Sequence, residues 1–146
     1  MTHAAPVGAA PGRPAVAQQP TPVRTPQGEC KIDFARQIKP ILERSCVGCH
    51  GGEKPRGLFR VDGREALLKG GASGEAAIVP GRSEESPLVD YVSGKVPDEE
   101  MPPRAQRGRF PALLTDDVAL LRAWIDQGAE WPKGMSLASP KVGRTR

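Results

Sequence analysis

The chain has 146 residues, a length that fits one domain with short extensions, and only 4% of them are aromatic, which is few for a core of ordinary size. The net charge of +4 arises from the ends, because residues 30–132 hold 15 basic and 16 acidic side chains while residues 133–146 hold four basic ones and no acid. Since the basic residues are not interleaved with aromatic ones and no stretch approaches about 18 consecutive apolar residues, we predict neither nucleic-acid binding nor a transmembrane helix.

The first 29 residues are rich in proline and alanine and have no hydrophobic periodicity. Such a segment buries too little apolar surface to order itself, so we predict a disordered leader or linker over residues 1–29. Ala15-Val16-Ala17 resembles a signal cleavage site, although residues 1–17 lack the apolar stretch of a signal peptide. Cys30 is interpreted as an incidental thiol, with a free reactive thiol or an intermolecular cross-link as alternatives.

Helical periodicity begins after Asp33, which is placed to cap the first helix. One face of this helix carries the apolar side chains of Phe34, Ile38, Ile41 and Leu42. Pro40 removes one backbone hydrogen bond, so we predict a kink there. The helix leads directly to the motif at residues 46–50.

Residues 46–50 have the sequence Cys-Val-Gly-Cys-His, the C-x-x-C-H pattern of covalent haem c attachment. Cys46 and Cys49 lie one helical turn apart, so each is placed to form a thioether with one vinyl group of the porphyrin. His50 then lies beneath the iron and is the expected axial ligand. Because bacteria attach haem covalently outside the cytoplasm, the motif also predicts export, with the periplasm as the expected location.

Two other kinds of site use the same residues. Zinc accepts three cysteines and one histidine, here Cys30, Cys46, Cys49 and His50, but the usual second pair of closely spaced ligands is missing. A redox-active C-x-x-C pair would end a strand and open a helix, and no alternation of strands and helices surrounds the motif. Haem attachment is therefore the favoured interpretation.

Two short helices are predicted in the middle of the chain. The first covers residues 64–69, with Asp62 as its N-cap. An apolar stretch that ends in a turn follows it. The second helix covers residues 88–93 and is opened by Ser86, with Pro87 at the first helical position.

Met101 is the preferred ligand for the iron face opposite His50, because a thioether is a neutral, soft ligand that favours ferrous iron. His3 is the only other histidine and lies in the predicted leader, so ligation by two histidines is not expected. Met101 is preferred over Met135, Met1, a lysine or water because two prolines follow it and stiffen the chain beside its sulfur. The alternative interpretation is a core methionine that fills a gap.

Arg104, Arg107 and Arg109 follow Met101 closely. They could pair with haem propionates or form a docking patch for an acidic partner, but solvated surface arginines are the interpretation that we prefer.

The last helix is predicted to begin at Thr115, its N-cap, and to end at Gly128. Its wide apolar face, made by Val118, Leu120, Leu121, Trp124 and Ile125, is expected to pack on the first helix and on the haem edge. Beyond Pro132 the chain is rich in small and basic residues, so we predict an ordered domain over residues 30–132 and a basic flexible tail over residues 133–146.

Together these motifs resemble the planctomycete-type cytochrome c domain, a class I-like monohaem c-type cytochrome. The resemblance runs from about Phe34 to Trp131. It is carried by Pro40-Ile41-Leu42 before the C-x-x-C-H motif, Gly57-Leu58 with Asp62, Val79-Pro80-Gly81 with Ser86, Met101-Pro102-Pro103, and Trp124-Ile125 with Gly128-Ala129 and Trp131.

The resemblance implies an all-α cytochrome c fold, with three to five short helices around one covalently bound haem c. It implies thioethers from Cys46 and Cys49, axial ligation by His50 and Met101, and transfer of single electrons between redox partner proteins rather than enzymatic catalysis. The alternative function is a haem-based sensor or small-ligand-binding domain, in which Met101 is displaced and the sixth iron position is open. A peroxidase is a weaker possibility, because no distal histidine and arginine pair can be placed.

Overall fold

The regular structure of this chain is helical throughout the part that the computed structural model describes, residues 30–139. The five α-helices are α1 (Lys39–Ser45), α2 (Val47–His50), α3 (Arg64–Lys69), α4 (Pro87–Val92) and α5 (Thr115–Asp126). A π-helical segment, Phe34–Ile38, precedes α1, and short 3₁₀ turns lie at Arg56–Leu58, Ser83–Glu85 and Arg104–Gln106. The prediction of an all-α fold is confirmed. The predicted leader and the end of the predicted tail lie outside the described residues.

The predicted interruption of the first helix takes the form of a change in helix type. Asp33 caps the π-helical segment, since its Oδ1 accepts a hydrogen bond from the backbone N–H of Arg36 at 3.2 Å, as predicted. Pro40 lies in the first turn of α1, where a missing N–H costs no helical hydrogen bond. The chain therefore passes from π to α geometry just before the proline.

The hydrophobic core forms where α5 packs on the π-helical segment. The ring of Phe34 lies 5.7 Å from the ring of Trp124 and 4.3 Å from that of Trp131, centroid to centroid. Leu121 and Ile125 are fully buried on the same face of α5. The predicted contact between the first and last helices is therefore confirmed. None of the described helices has the length and apolar character needed to cross a membrane.

Two predicted helix caps are wrong. The residue before α3 is Gly63, and the Asp62 carboxylate pairs with Arg60 instead of with the helix. Thr115 is already inside α5: the preceding Leu114 is the N-cap residue, and its N–H donates to the Asp117 carboxylate at 2.9 Å. A carboxylate in the first helical turn accepts from the N–H of the N-cap residue, a donor that a capping hydroxyl does not reach, so a candidate capping hydroxyl alone did not fix the boundary.

Arg60 links the segment after α2 to the start of α3, since its guanidinium binds both the Gly52 carbonyl and the Asp62 carboxylate. The hydrogen bond from Arg60 holds the pKa of Asp62 below its usual range. A carboxyl group whose pKa is lower in the folded chain stabilises the fold above its unfolded pKa of about 3.9, and that contribution is lost as the pH falls through the folded value.

We expect the substitution Asp62→Asn to lower the free energy of unfolding at pH 7 by less than about 1 kcal/mol, because the pair is partly exposed to solvent. At a pH below the lowered pKa of Asp62, the variant and the wild type should be equally stable. Urea unfolding at both pH values measures the difference. An equal loss at both would show that the carboxylate charge does not stabilise this segment.

Residues 133–139, which belong to the predicted flexible tail, contact the rest of the domain. Met135 and Leu137 pack against the core, and Trp131 donates a hydrogen bond from Nε1 to the carbonyl of Met135 at 2.9 Å. The backbone N–H of Ala138 donates to Glu43 of α1 at 2.7 Å. Two spaced apolar side chains and two hydrogen bonds therefore connect residues 133–139 to the domain, although the composition there is mostly small and polar.

Candidate functional site

A half-open cavity of about 330 Å³ lies between α2, α4 and the loops that follow α2 and α3. Three of the four predicted site residues, Cys46, His50 and Met101, are part of its wall. The rest of the wall is largely apolar or built of small residues and comprises Arg56, Gly57, Phe59, Val61, Gly71, Ala72, Ser73, Glu75, Ala76, Ala77, Pro87, Leu88, Tyr91 and Val92.

Cys46 immediately precedes the single turn of α2, and Cys49 lies within that turn. The N–H groups of Cys49 and His50 both donate to the carbonyl of Cys46, at 3.2 Å and 3.0 Å, so the motif closes into one helical turn. The protein encloses the Cys46 thiol, and this burial raises its pKa to about 12. Surroundings that disfavour the charged thiolate suit a neutral thioether. Cys49 is half-buried, and both cysteines are free thiols.

Gly48, between the two cysteines, is required by the packing of α2. A β-carbon at this position would lie 2.1 Å from Cε1 of the buried Phe110 ring, which therefore covers the back of the helix. The sequence indicated the motif but not this contact, because the partner is more than 60 residues away.

The imidazole of His50 is held in one orientation. Its Nδ1 lies 3.1 Å from the carbonyl oxygen of Arg56, and because a carbonyl can only accept, Nδ1 carries the proton. The other ring nitrogen, Nε2, is then free to donate its lone pair to a metal. The Phe59 ring packs against the imidazole with centroids 5.0 Å apart at 63°. Burial lowers the pKa of His50, which favours the neutral form that binds metals.

Met101 is anchored to α4. Its backbone N–H donates to the carbonyl of Tyr91 at 3.0 Å, and Tyr91 itself lines the cavity. The following Pro102 is buried, and its carbonyl accepts a hydrogen bond from Nε of Arg107 at 3.1 Å. Met101 is the one methionine in the cavity wall, which contains no lysine among the described residues; Met135 packs elsewhere on the core. Met1 and His3 lie outside the described residues.

The structure places other predicted features away from the cavity. The cavity wall as described includes no residue of α5, and the apolar face of this helix packs in the core; its contact with the haem edge stays a prediction. The three arginines after Met101 are also absent from the wall. Arg104 pairs with Glu100 at 2.8 Å, and the guanidinium of Arg109 lies 5.3 Å from the centre of the Phe110 ring.

The zinc interpretation is not supported. Between residues 30 and 139, no three histidine, cysteine, aspartate or glutamate side chains are grouped so that they could hold a metal ion. Cys30 is exposed, and its carbonyl accepts a hydrogen bond from Gln127 near the end of α5.

The family comparison agrees with this arrangement. Residues 46–105 match the family model described as Planctomycete cytochrome C, so the matched segment begins at the first motif cysteine and includes Met101. Over these residues the chain is similar to a planctomycete-type cytochrome c domain. Cytochrome c domains bind haem c covalently and transfer electrons. No curated protein and no solved structure gives a significant match to the chain.

The residues of the cavity fit the cofactor that this similarity implies. The cavity offers an apolar wall, a neutral imidazole with a free Nε2, an enclosed thiol and a thioether sulfur. These are the donor types that hold haem c and its iron. The wall also contains Phe59 and Tyr91, which were not singled out from the sequence because neither belongs to a recognisable motif.

Proposed function

We propose that the chain is an exported, monohaem cytochrome c that carries single electrons between redox partner proteins. One haem c would be held by thioethers from Cys46 and Cys49, with His50 and Met101 as the axial ligands of its iron. The observation that supports this proposal most directly is that His50 and Met101, 51 positions apart in the sequence, belong to the wall of the same cavity.

Each of these residues has a distinct task. The hydrogen bond from His50 to the Arg56 carbonyl fixes the ring and increases the basicity of Nε2 toward iron. The sulfur of Met101 favours the ferrous state and so raises the reduction potential. When bound, the haem supplies the one-electron redox couple, and the apolar wall limits the access of water to it.

Electron transfer requires contact with partners, and the arginines after Met101 are candidates for this contact. The charge of Arg104 is already neutralised by Glu100, whereas Arg107 and Arg109 make no ion pair within residues 30–139. The latter two would attract an acidic partner to the side of the domain that carries Met101.

The covalent link is tested by replacing both motif cysteines. We expect the wild-type protein to keep its haem stain after denaturation and acid-acetone extraction, because thioether bonds survive both treatments. The double variant Cys46→Ala, Cys49→Ala should retain no stain, since neither motif thiol is left to bond the ring.

Cys30→Ala is the matched control, because it removes an exposed thiol that does not line the cavity and should leave the stain unchanged. A wild-type protein produced with a complete haem-attachment system that still loses all haem on extraction would contradict the proposal.

A further inference from the structure

The cavity wall contains one basic side chain, Arg56, among the residues that the structure describes. The guanidinium of Arg56 takes part in no ion pair within that part of the chain, whereas most of the other arginines there are paired with acids or bonded to carbonyls. The wall contains one acidic residue, Glu75, which is exposed. Arg56, which is also exposed, therefore brings a positive charge without an ion-pair partner to a largely apolar wall.

The backbone of Arg56 is fixed relative to the site. Its carbonyl accepts the hydrogen bond from His50, and it begins the 3₁₀ turn Arg56–Leu58. The next residue, Gly57, accepts a hydrogen bond from the N–H of Ala72 at 2.9 Å, so this turn and the loop after α3 lie side by side. A β-carbon on Gly71 would lie 2.7 Å from the Gly57 carbonyl, which shows how closely the two segments approach.

A second hydrogen-bond donor lies on the neighbouring loop. Ser73 lines the cavity, and its Oγ accepts a hydrogen bond from the N–H of Glu75 at 3.3 Å. Because that contact uses the oxygen as an acceptor, the hydroxyl hydrogen remains free to donate. Arg56 and Ser73 thus place a cation and a hydroxyl on adjacent segments of one wall.

Haem carries two propionate groups, and a carboxylate beside apolar protein costs free energy unless it is paired. An arginine fork matches a carboxylate with two parallel hydrogen bonds. We propose that the guanidinium of Arg56 binds a haem propionate, with the hydroxyl of Ser73 as a second donor. This inference rests on the proposed function, and it makes Arg56 a positioning residue that also neutralises a charge on the cofactor.

The test uses the haem-loaded full chain and the variant Arg56→Gln, which removes the cation and leaves the backbone carbonyl for His50. We expect a lower midpoint potential, because an unpaired propionate charge stabilises ferric over ferrous iron. We also expect the propionate bending band in the resonance Raman spectrum to shift, since this band responds to hydrogen bonding. Arg56→Lys should preserve most of the potential but still shift the band, because lysine keeps the charge without the fork.

Lys54→Gln is the matched control. Lys54 lies two positions before Arg56 and carries the same charge, but its side chain is exposed and does not line the cavity. The potential and the propionate band should therefore both remain close to the wild type. An unchanged propionate band in Arg56→Gln, or an equal fall in potential in Lys54→Gln, would overturn the assignment. Haem staining of the denatured proteins separates this failure from that of the proposed function, because the stain depends on the cysteines and not on Arg56.

Discussion

Met101→Leu is expected to abolish the weak ferric absorption band at the red end of the spectrum that marks a methionine sulfur bound to iron. The midpoint potential should fall by more than about 100 mV, a modest part of the roughly 0.8 V range that axial ligands set. The substitution removes the sulfur but keeps an apolar side chain of similar volume, so the packing beside α4 should survive. Optical spectra of both oxidation states and a redox titration measure the two effects.

The control for this experiment is Met135→Leu. Met135 is half-buried against the core and is absent from the cavity wall, so its replacement should change neither the band nor the potential. A wild-type protein that lacks the band and binds added imidazole as readily as Met101→Leu would contradict axial ligation by Met101. It would instead favour the sensor or ligand-binding alternative, in which the sixth position is open.

The helices could be predicted from local patterns because their signals lie within a few residues of one another. The N-cap at Asp33, the proline after the π-helical segment and the bounds of α3 all follow from short-range rules. The caps at Asp62 and Thr115 could not be predicted in this way. In both cases a carboxylate binds a partner within three residues, Arg60 for Asp62 and the N–H of Leu114 for Asp117, and the capping rules alone do not decide between such partners.

The residues of the candidate site also fall into those that local sequence patterns predict and those that they do not. Cys46, Cys49 and His50 form one contiguous motif, and Met101 could be selected by elimination among few candidate ligands. The remainder of the wall comes from loops with no periodicity, so Arg56, Phe59 and the loop after α3 gave no sequence signal of a shared cavity. The Gly70-Gly71 pair marks the end of α3 in the sequence. In the folded chain these two glycines also allow the backbone to approach the carbonyls of Glu75 and Gly57 closely.

Gly70→Ala is expected to produce the largest loss of stability of the variants considered, at least about 3 kcal/mol. Gly70 has φ of +75° and ψ of −164°, a conformation that is almost exclusive to glycine. A β-carbon there would also lie 1.7 Å from the carbonyl oxygen of Glu75, a backbone atom that cannot move without displacing the loop. That loop forms one wall of the cavity, so the haem environment should be disturbed together with the fold.

Gly74→Ala separates conformational strain from this close contact. Gly74 also has φ of +75°, but a β-carbon there would have no other atom within 4 Å, so only the left-handed backbone is penalised. We expect a loss of about 1 kcal/mol for Gly74→Ala, which follows from the cost of a left-handed conformation in a residue with a side chain. Chemical denaturation of the haem-loaded proteins, followed by circular dichroism, measures both values. Equal losses at the two positions would show that the approach of the Gly70 backbone to Glu75 does not constrain the cavity wall.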